Sequence, residues 1–343
     1  MADTRTEINS LGEFGLIQRI NKKIKTNLPD TITGIGDDSA VIDLGDEFGL
    51  LSTDILLEGV HFDLTFFPLK HLGYKAIAIN VSDIAAMNGT PRQVTVAIAL
   101  SNRFSVEAVD ELYEGIHAAC KDFNVDLVGG DTTSSRSGLL ISVSVFGRVK
   151  KDKITYRHGA RPNDLLCVTG DLGGAYMGLQ LLEREKQVFM ANPQMQPELE
   201  GKDYVIQRQL RPEARMDVIY ELAEAGVLPT SMIDLSDGLA SDLLHICAQS
   251  GVGAIVFEEK LPIDEQTYIA ATELNLGPVT AALNGGEDYE LLFTVPQVSY
   301  DLIKNNPKIS FIGYITDKKN EVLLHTNADN RIPITAQGWN REN

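Results

Sequence analysis

Four times in this chain an apolar run gives way to an aspartate set among glycine, serine or threonine. The segments are GIGDDSAVI with Asp37 and Asp38, LLSTDILLEG with Asp54, LVGGDTTSS with Asp131, and MIDLSDGLASD with Asp234 and Asp237. A fifth aspartate, Asp83, stands in NVSDIAAM. Taken singly, each reads first as a helix cap or an Asx turn, and Asp237 before Gly238 suits that well. Taken together they constrain the fold more sharply. Carboxylates gathered at strand ends lose hydration and repel one another, so such a cluster persists mainly when a cation offsets both costs. Hard oxygen ligands without Cys or His for company favour magnesium over zinc. The Gly, Ser and Thr neighbours admit phosphate oxygens to the backbone and supply amide and hydroxyl donors, which makes metal plus polyphosphate the better reading of the set.

The segments between these aspartates alternate in type. GLLSTD (49–54), QVTVAIAL (93–100), DLVGG (126–130), LLISVSVFGRV (139–149) and DLLCVTG (164–170) are short and rich in β-branched residues, and predict strands. Residues 71–87 and 105–123 carry apolar residues at helical spacing, the second entered by Ser105 with Glu107 and Asp110 in its opening turns. Strands alternating with helices predict an α/β or α+β fold of mixed sheets flanked by helices. A length of 343 residues exceeds what one hydrophobic core usually holds and predicts two domains. The basic stretch KKDKITYRHGARPND (150–164) places their boundary near residue 150, giving domains 1–150 and 151–343. The proline-bearing insert at 189–203 reads as a surface loop.

Composition narrows the function. With 43% hydrophobic and 23% charged residues the chain is an ordinary globular protein. Its net charge of -18 argues against general affinity for nucleic acid or anionic lipid, which needs a basic face. Cys120, Cys167 and Cys247 are far apart and odd in number, and read as reduced and structural. No signal peptide and no run of 18 apolar residues is present, which predicts a cytoplasmic protein with no membrane span.

Several motifs are missing. There is no G-x-x-x-x-G-K-[ST], no protein-kinase set, and the glycines of GIGDD (34–38) lack the third of a dinucleotide fingerprint. His61 alone among the histidines lies beside an acidic motif, and no G-x-S-x-G or Cys/His pair accompanies it, which disfavours a covalent nucleophile. The glycine-rich TGDLGGAYMG (169–178) suits a phosphate at a helix N-terminus and suits equally a tight turn with close strand–helix packing.

Read in order, GEFGLI (12–17), GIGDDSAV (34–41), STD followed by EGVHF (52–62), YKAIAINVSDIAAMNGTP (74–91), GGDTT (129–133), IDLSDGL (233–239) and GGEDYELLFTV (285–295) closely resemble thiamine-monophosphate kinase over nearly the whole chain. That family shares an ATP-binding superfamily with aminoimidazole ribonucleotide synthetase, selenophosphate synthetase and a hydrogenase-maturation protein. The N-terminal cysteine and lysine of the second and the C-terminal cysteine of the third are missing here. The resemblance implies a two-domain aminoimidazole ribonucleotide synthetase-like fold and a homodimer joined through its N-terminal domains. It implies that Asp38, Thr53, Asp54, Asp83, Asp131, Asp234 and Asp237 hold several Mg2+ ions, with Ser52 and Asp37 beside them. It implies ATP contacts from Gly130, Asp131, Arg157 and Ser236, and thiamine contacts from His61, Glu287 and Trp339, the last an aromatic face for a cationic ring.

The reaction so implied is in-line transfer of the ATP γ-phosphoryl group to the phosphate of thiamine monophosphate, with no phosphoenzyme. A phosphate monoester has its second pKa near 6, so its oxygen is already a nucleophile at neutral pH and no strong general base is needed. The difficulty is bringing two anions together, since one like-charged pair at 4 Å costs about 4 kcal/mol at an effective dielectric of 20. Aspartates acting as metal ligands address that cost directly. Two rivals stay open: a related ATP-dependent synthetase that cyclises a purine precursor, and a non-catalytic nucleotide- or metal-binding protein.

Overall fold

The computed structural model describes residues 12–336. After helix α1 (Gly12–Asn21) the chain builds a mixed sheet from β1 (Thr31–Thr33), β2 (Ala40–Asp43), β3 (Glu47–Leu57), β4 (Thr90–Leu100), β5 (Asp126–Ser134) and β6 (Leu140–Lys150). Their spatial order is β1-β2-β3-β6-β4-β5, and only the edge pair β4–β5 is parallel. Strand β6 shows why one face is committed to the core: Ile141, Val143, Val145 and Val149 are buried while their neighbours are more exposed, the period of two of a half-covered strand.

Helices α2 (Leu69–Ala86) and α3 (Val106–Asp122) lie against that sheet in succession. Helix α3 buries Leu112, Gly115, Ile116, Ala119 and Cys120, the stripe of an amphipathic helix, and Ser105 caps it by accepting the Ala108 N–H at 3.3 Å. Helix α2 is buried nearly all round, from Leu72 to Ala86, as expected of a helix with partners on every side. It packs on β3, β4 and β6, on α3, and on α5 (Asp203–Leu210), α6 (Met216–Glu224) and β8 (Ser231–Asp234) of the second half.

The second sheet contains β7 (Leu165–Thr169), β8, β9 (Gly253–Phe257), β10 (Leu291–Val295), β11 (Ile309–Thr316), β12 (Val322–His325) and β13 (Arg331–Pro333), in the order β13-β12-β9-β11-β7-β10-β8. Its central strands are buried on both faces, and the alternation assigns each face to a different core. Cys167, Met232, Leu291 and Phe293 join the core that contains α2. Leu166, Val168, Ile233 and Leu292 join a second core with Leu239, Leu243 and Ile246 of α7 (Leu239–Ser250). One core therefore runs through α2 from the first sheet to the second, and the last turn of α2 is set opposite the end of β8.

The predicted strands and the helices at 71–87 and 105–123 fall on observed elements, overrunning them by at most one residue at either end. The insert at 189–203 is a partial miss: helix α4 (Gly174–Ala191) carries Phe189, Met190 and Ala191 before the irregular stretch begins. Among the described residues no helix is long and apolar enough to cross a membrane.

Candidate active site

Three aspartates from distant parts of the sequence meet beneath α2. Asp38 comes from the turn between β1 and β2, Asp83 from the last turn of α2 and Asp234 from the final residue of β8. Each offers a carboxylate oxygen, and those oxygens lie within 4.8 Å of one another. Hydroxyls steady two of them: Ser52 Oγ donates to Asp83 Oδ2 at 2.5 Å and Ser82 Oγ to Asp234 Oδ2 at 2.6 Å.

Arg157, from the connection between the two sheets, orders the Asp38 end. Its Nε and Nη2 donate to Asp38 Oδ1 at 3.1 and 2.6 Å, and its backbone N–H reaches the Asp37 carboxylate at 3.2 and 3.3 Å. Burial alone would lower the guanidinium pKa, but Asp38, Asp37 and Asp234 more than offset it and hold the group charged. Among the described residues, the other Asp38 oxygen, Oδ2, is buried without a hydrogen-bond partner. A fully desolvated carboxylate oxygen left open in this way fits a cation.

The electrostatics agree. Burial, then the charges of Asp54, Asp234 and Asp38, push the Asp83 carboxyl well above the usual range. Burial and Asp38 push Asp234 up to about 8, and burial pushes Asp54 up to about 6. Asp37 is pushed up to about 7 by burial and by Asp38. Without a cation the cluster holds protons it would not keep in water; a divalent ion removes the reason to keep them.

The structure gathers most of the sequence-predicted residues in three places. Asp38, Asp54, Asp83 and Asp234 converge with Arg157, Asp37 and Ser52. Asp237 stands near them, its carboxyl raised by burial against the lowering effect of Arg157. Thr53 faces the other way: strand alternation carries its hydroxyl to the opposite side of β3, where it donates to Val143 O at 2.9 Å and accepts from Ser144 Oγ at 3.1 Å.

Gly130 and Asp131 occupy the exposed edge strand β5, where Asp131 Oδ1 accepts the Thr132 N–H at 2.9 Å. They line a separate cavity of about 460 Å³ with Tyr113, Leu127 and Gly129. Position 130 tolerates no larger residue, because a Cβ there would sit 1.9 Å from the Val96 carbonyl oxygen.

The third place is the segment before β10. Glu287, at φ 59°, donates its N–H to the Ser236 carbonyl at 2.8 Å, so a residue predicted for substrate and one predicted for ATP touch directly. The Tyr289 phenol, raised by burial and then by Glu287, Asp54, Asp234 and Asp83, stands within electrostatic reach of both Glu287 and the aspartates. His61 lies in the segment after β3, its Nδ1 accepting the Leu57 N–H at 2.9 Å. Trp339 falls outside the described residues.

Some site residues escaped sequence reading. Ser82 was signalled only by adjacency to Asp83. Asp242 is buried in the first turn of α7, accepts the Asp237 N–H at 3.3 Å, and is raised well above the usual range by burial and by Asp237 and Asp234. Its signal was the spacing Asp234, Asp237, Asp242 across a strand end and a helix start. The glycine-rich turn at 169–178 resolves to the packing alternative: the amides at the start of α4 are taken by Asp288, whose Oδ2 accepts the Gly173 N–H at 2.7 Å and whose Oδ1 accepts that of Ala175 at 3.2 Å.

Two sheets bridged by a shared helix, with an acidic cluster at the bridge, define a class. A family model for the AIR synthase related protein N-terminal domain matches residues 36–149, and one for the AIR synthase related protein C-terminal domain matches residues 161–325. The thiamine-monophosphate kinase of Aquifex aeolicus (strain VF5) is 36% identical over 84% of this chain and 88% of its own length. That of Bacillus subtilis (strain 168) is 34% identical over 96% and 99%. A solved structure, AaThiL complexed with AMPPCP and TMP, superposes with a TM-score of 0.81 at 32% identity, covering 96% of this chain and 97% of that one. Within the AIR synthase related class, the chain belongs to the thiamine-monophosphate kinase family.

Proposed function

We propose that this chain transfers the γ-phosphoryl group of ATP to the phosphate of thiamine monophosphate, giving thiamine diphosphate and ADP. The observation that carries the phosphoryl-transfer part is the meeting of buried Asp38 and Asp234 with half-buried Asp83, with an open oxygen on Asp38. The choice of substrate is supported by relatives that carry this name over nearly their whole length, one of them solved with AMPPCP and TMP.

Mg2+ ions are the cofactor of this reading. Asp38, Asp54, Asp83 and Asp234 would hold them, with Asp237 and Asp131 extending the set toward the phosphates; Thr53 can join only through its main chain. When bound, magnesium neutralises the charge of two approaching phosphate groups and of the oxygens between which the phosphoryl group moves. The protein's own contribution is placement. Ser52 and Ser82 fix the orientation of two carboxylates, and Arg157 fixes a third while presenting a cation to ATP. Gly130 and Asp131, with Tyr113 across the cavity, would receive the nucleotide, and Ser236 would contact it from the second sheet. His61, Glu287 and Trp339 would receive the thiamine moiety. No residue is needed as a general base, because the substrate phosphate supplies its own nucleophile.

In this reading residues 1–150 bind nucleotide and metal and pair with a second copy, while residues 151–343 complete the site. The pairing is supported by an exposed apolar face on the first sheet, including Ile32, Leu51, Ile55 and Leu57. A cytoplasmic location belongs to the same reading, since the reaction draws on ATP. The test is chromatographic: the chain incubated with thiamine monophosphate, ATP and magnesium yields thiamine diphosphate, and the Asp131→Asn variant yields far less. Tight ATP binding with no such product would favour a non-catalytic protein, and a cyclised purine precursor would favour the synthetase rival.

A further inference from the structure

Lys75 is a cation where the fold gives little reason for one. It sits in the first half of α2, with 1% of its side chain exposed. A buried ammonium is costly unless every donor is used, and here each has a destination. Lys75 Nζ lies 3.1 Å from Glu287 Oε1 and 3.2 Å from the Gln209 carbonyl oxygen, with the Phe67 ring centroid at 5.5 Å. Gln209, itself 1% exposed, donates its Nε2 to the other oxygen of the same carboxylate, Glu287 Oε2, at 2.9 Å. One carboxylate is thus gripped on both oxygens, by Lys75 of α2 in the first half of the chain and Gln209 of α5 in the second.

Such a grip is not what holds the helices together. Helix α2 already has apolar contacts on every side, and a buried ion pair is poor stabilisation compared with apolar residues of the same volume. What the grip does is set a direction. Glu287 keeps 26% of its side chain exposed, and its carboxylate retains lone pairs beyond those that Lys75 and Gln209 engage. Lys75 balances its charge, leaving a directional acceptor in place of a free anion.

We propose that Lys75 is a positioning residue which, with Gln209, aims the Glu287 carboxylate to accept an N–H from the amino-bearing ring of the substrate. This role rests on the reading that Glu287 faces thiamine monophosphate. It differs from ionic attraction, because the Glu287 charge is already matched inside the protein.

Steady-state kinetics of Lys75→Met, Glu287→Gln, the double variant and Gln209→Leu test it, each checked for folding by thermal melting. Lys75→Met is expected to raise KM for thiamine monophosphate about tenfold, with KM for ATP and kcat within about twofold of the parent. In the Glu287→Gln background the same substitution should add little, since its effect passes through the missing carboxylate. Equal rises in both KM values, a fall in kcat alone, or effects that multiply in the double variant would overturn the role. Should Lys75→Met fail to fold, Gln209→Leu decides from the other oxygen: a rise of a few fold in KM for thiamine monophosphate supports the role, and no rise overturns it. A parent chain that makes no thiamine diphosphate removes the functional reading itself, a result distinct from an active parent whose variants are unchanged.

Discussion

Asp38 is held at one oxygen and open at the other, and the site's chemistry follows from that asymmetry. Asp83 brings a carboxylate oxygen within 4.8 Å of one from Asp38, so Asp83→Asn is expected to lower turnover on the order of a hundredfold and to raise the magnesium concentration needed for half-maximal rate. Turnover and magnesium dependence both unchanged would remove the ligand assignment. The raised carboxyl pKa values make a second prediction. Folding lifts Asp234 from an ordinary 3.8 to about 8, with Asp37 at about 7 and Asp54 at about 6, so the folded metal-free chain binds protons more tightly than the unfolded one across that range. That part of its stability is present at low pH and is lost as pH rises through the folded values. Chelator-treated protein should therefore melt lower at about pH 8 than at about pH 5.5, and magnesium should restore the difference at the higher pH. At this scale the convergence of Asp38, Asp54, Asp83 and Asp234 was legible in the sequence, because each interrupts an apolar run. It was silent on their partners: nothing in the neighbourhood of Gln209 or Lys75 reveals that 134 residues of separation close to a 3.2 Å contact.

Helix α2 is the element on which the site depends, since it carries Lys75, Ser82 and Asp83 and touches both sheets. Its seat is cut by two glycines. A Cβ at Gly73 would lie 2.0 Å from the Leu112 carbonyl oxygen, and one at Gly115 would lie 1.9 Å from that of Lys70. Gly115→Ala must push α2 and α3 apart, at roughly 1–3 kcal/mol for overpacking. It should lower the melting midpoint and, by shifting Asp83, lower turnover as well, although it touches no substrate. A variant with parental melting and rate would show the crossing to be slack. The helix itself was legible from its spacing; its burial on every side shows only once both sheets are in place. Thr53 marks the limit of motif reading: the string STD sets three residues side by side, but a strand sends the middle one to the far face. The phosphate reading of the glycine-rich turn yielded to packing because the anion at α4 is supplied within the chain, by Asp288.

At the scale of the molecule, the first sheet covers one face with α2 and α3 and leaves the other with Leu51, Ile55 and Leu57 in the open. A sheet face of this kind suits a second copy, so sedimentation should give a mass of two chains, and Ile55→Asp should shift it toward one. A single-chain mass for the parent would remove the dimer. The mixed α/β fold was readable from alternating strands and helices, whereas the single core running through α2 was not, because the alternation of Cys167, Met232 and Phe293 toward it appears only once the second sheet is assembled. The two sheets are proposed to bring a nucleotide and a phosphate monoester together for direct transfer. Reaction with γ-labelled ATP, thiamine monophosphate and magnesium tests it most directly. Direct transfer puts the label in the terminal phosphate of thiamine diphosphate, with one ADP for each product and no label on the protein; label released as inorganic phosphate, or retained on the chain, would overturn it.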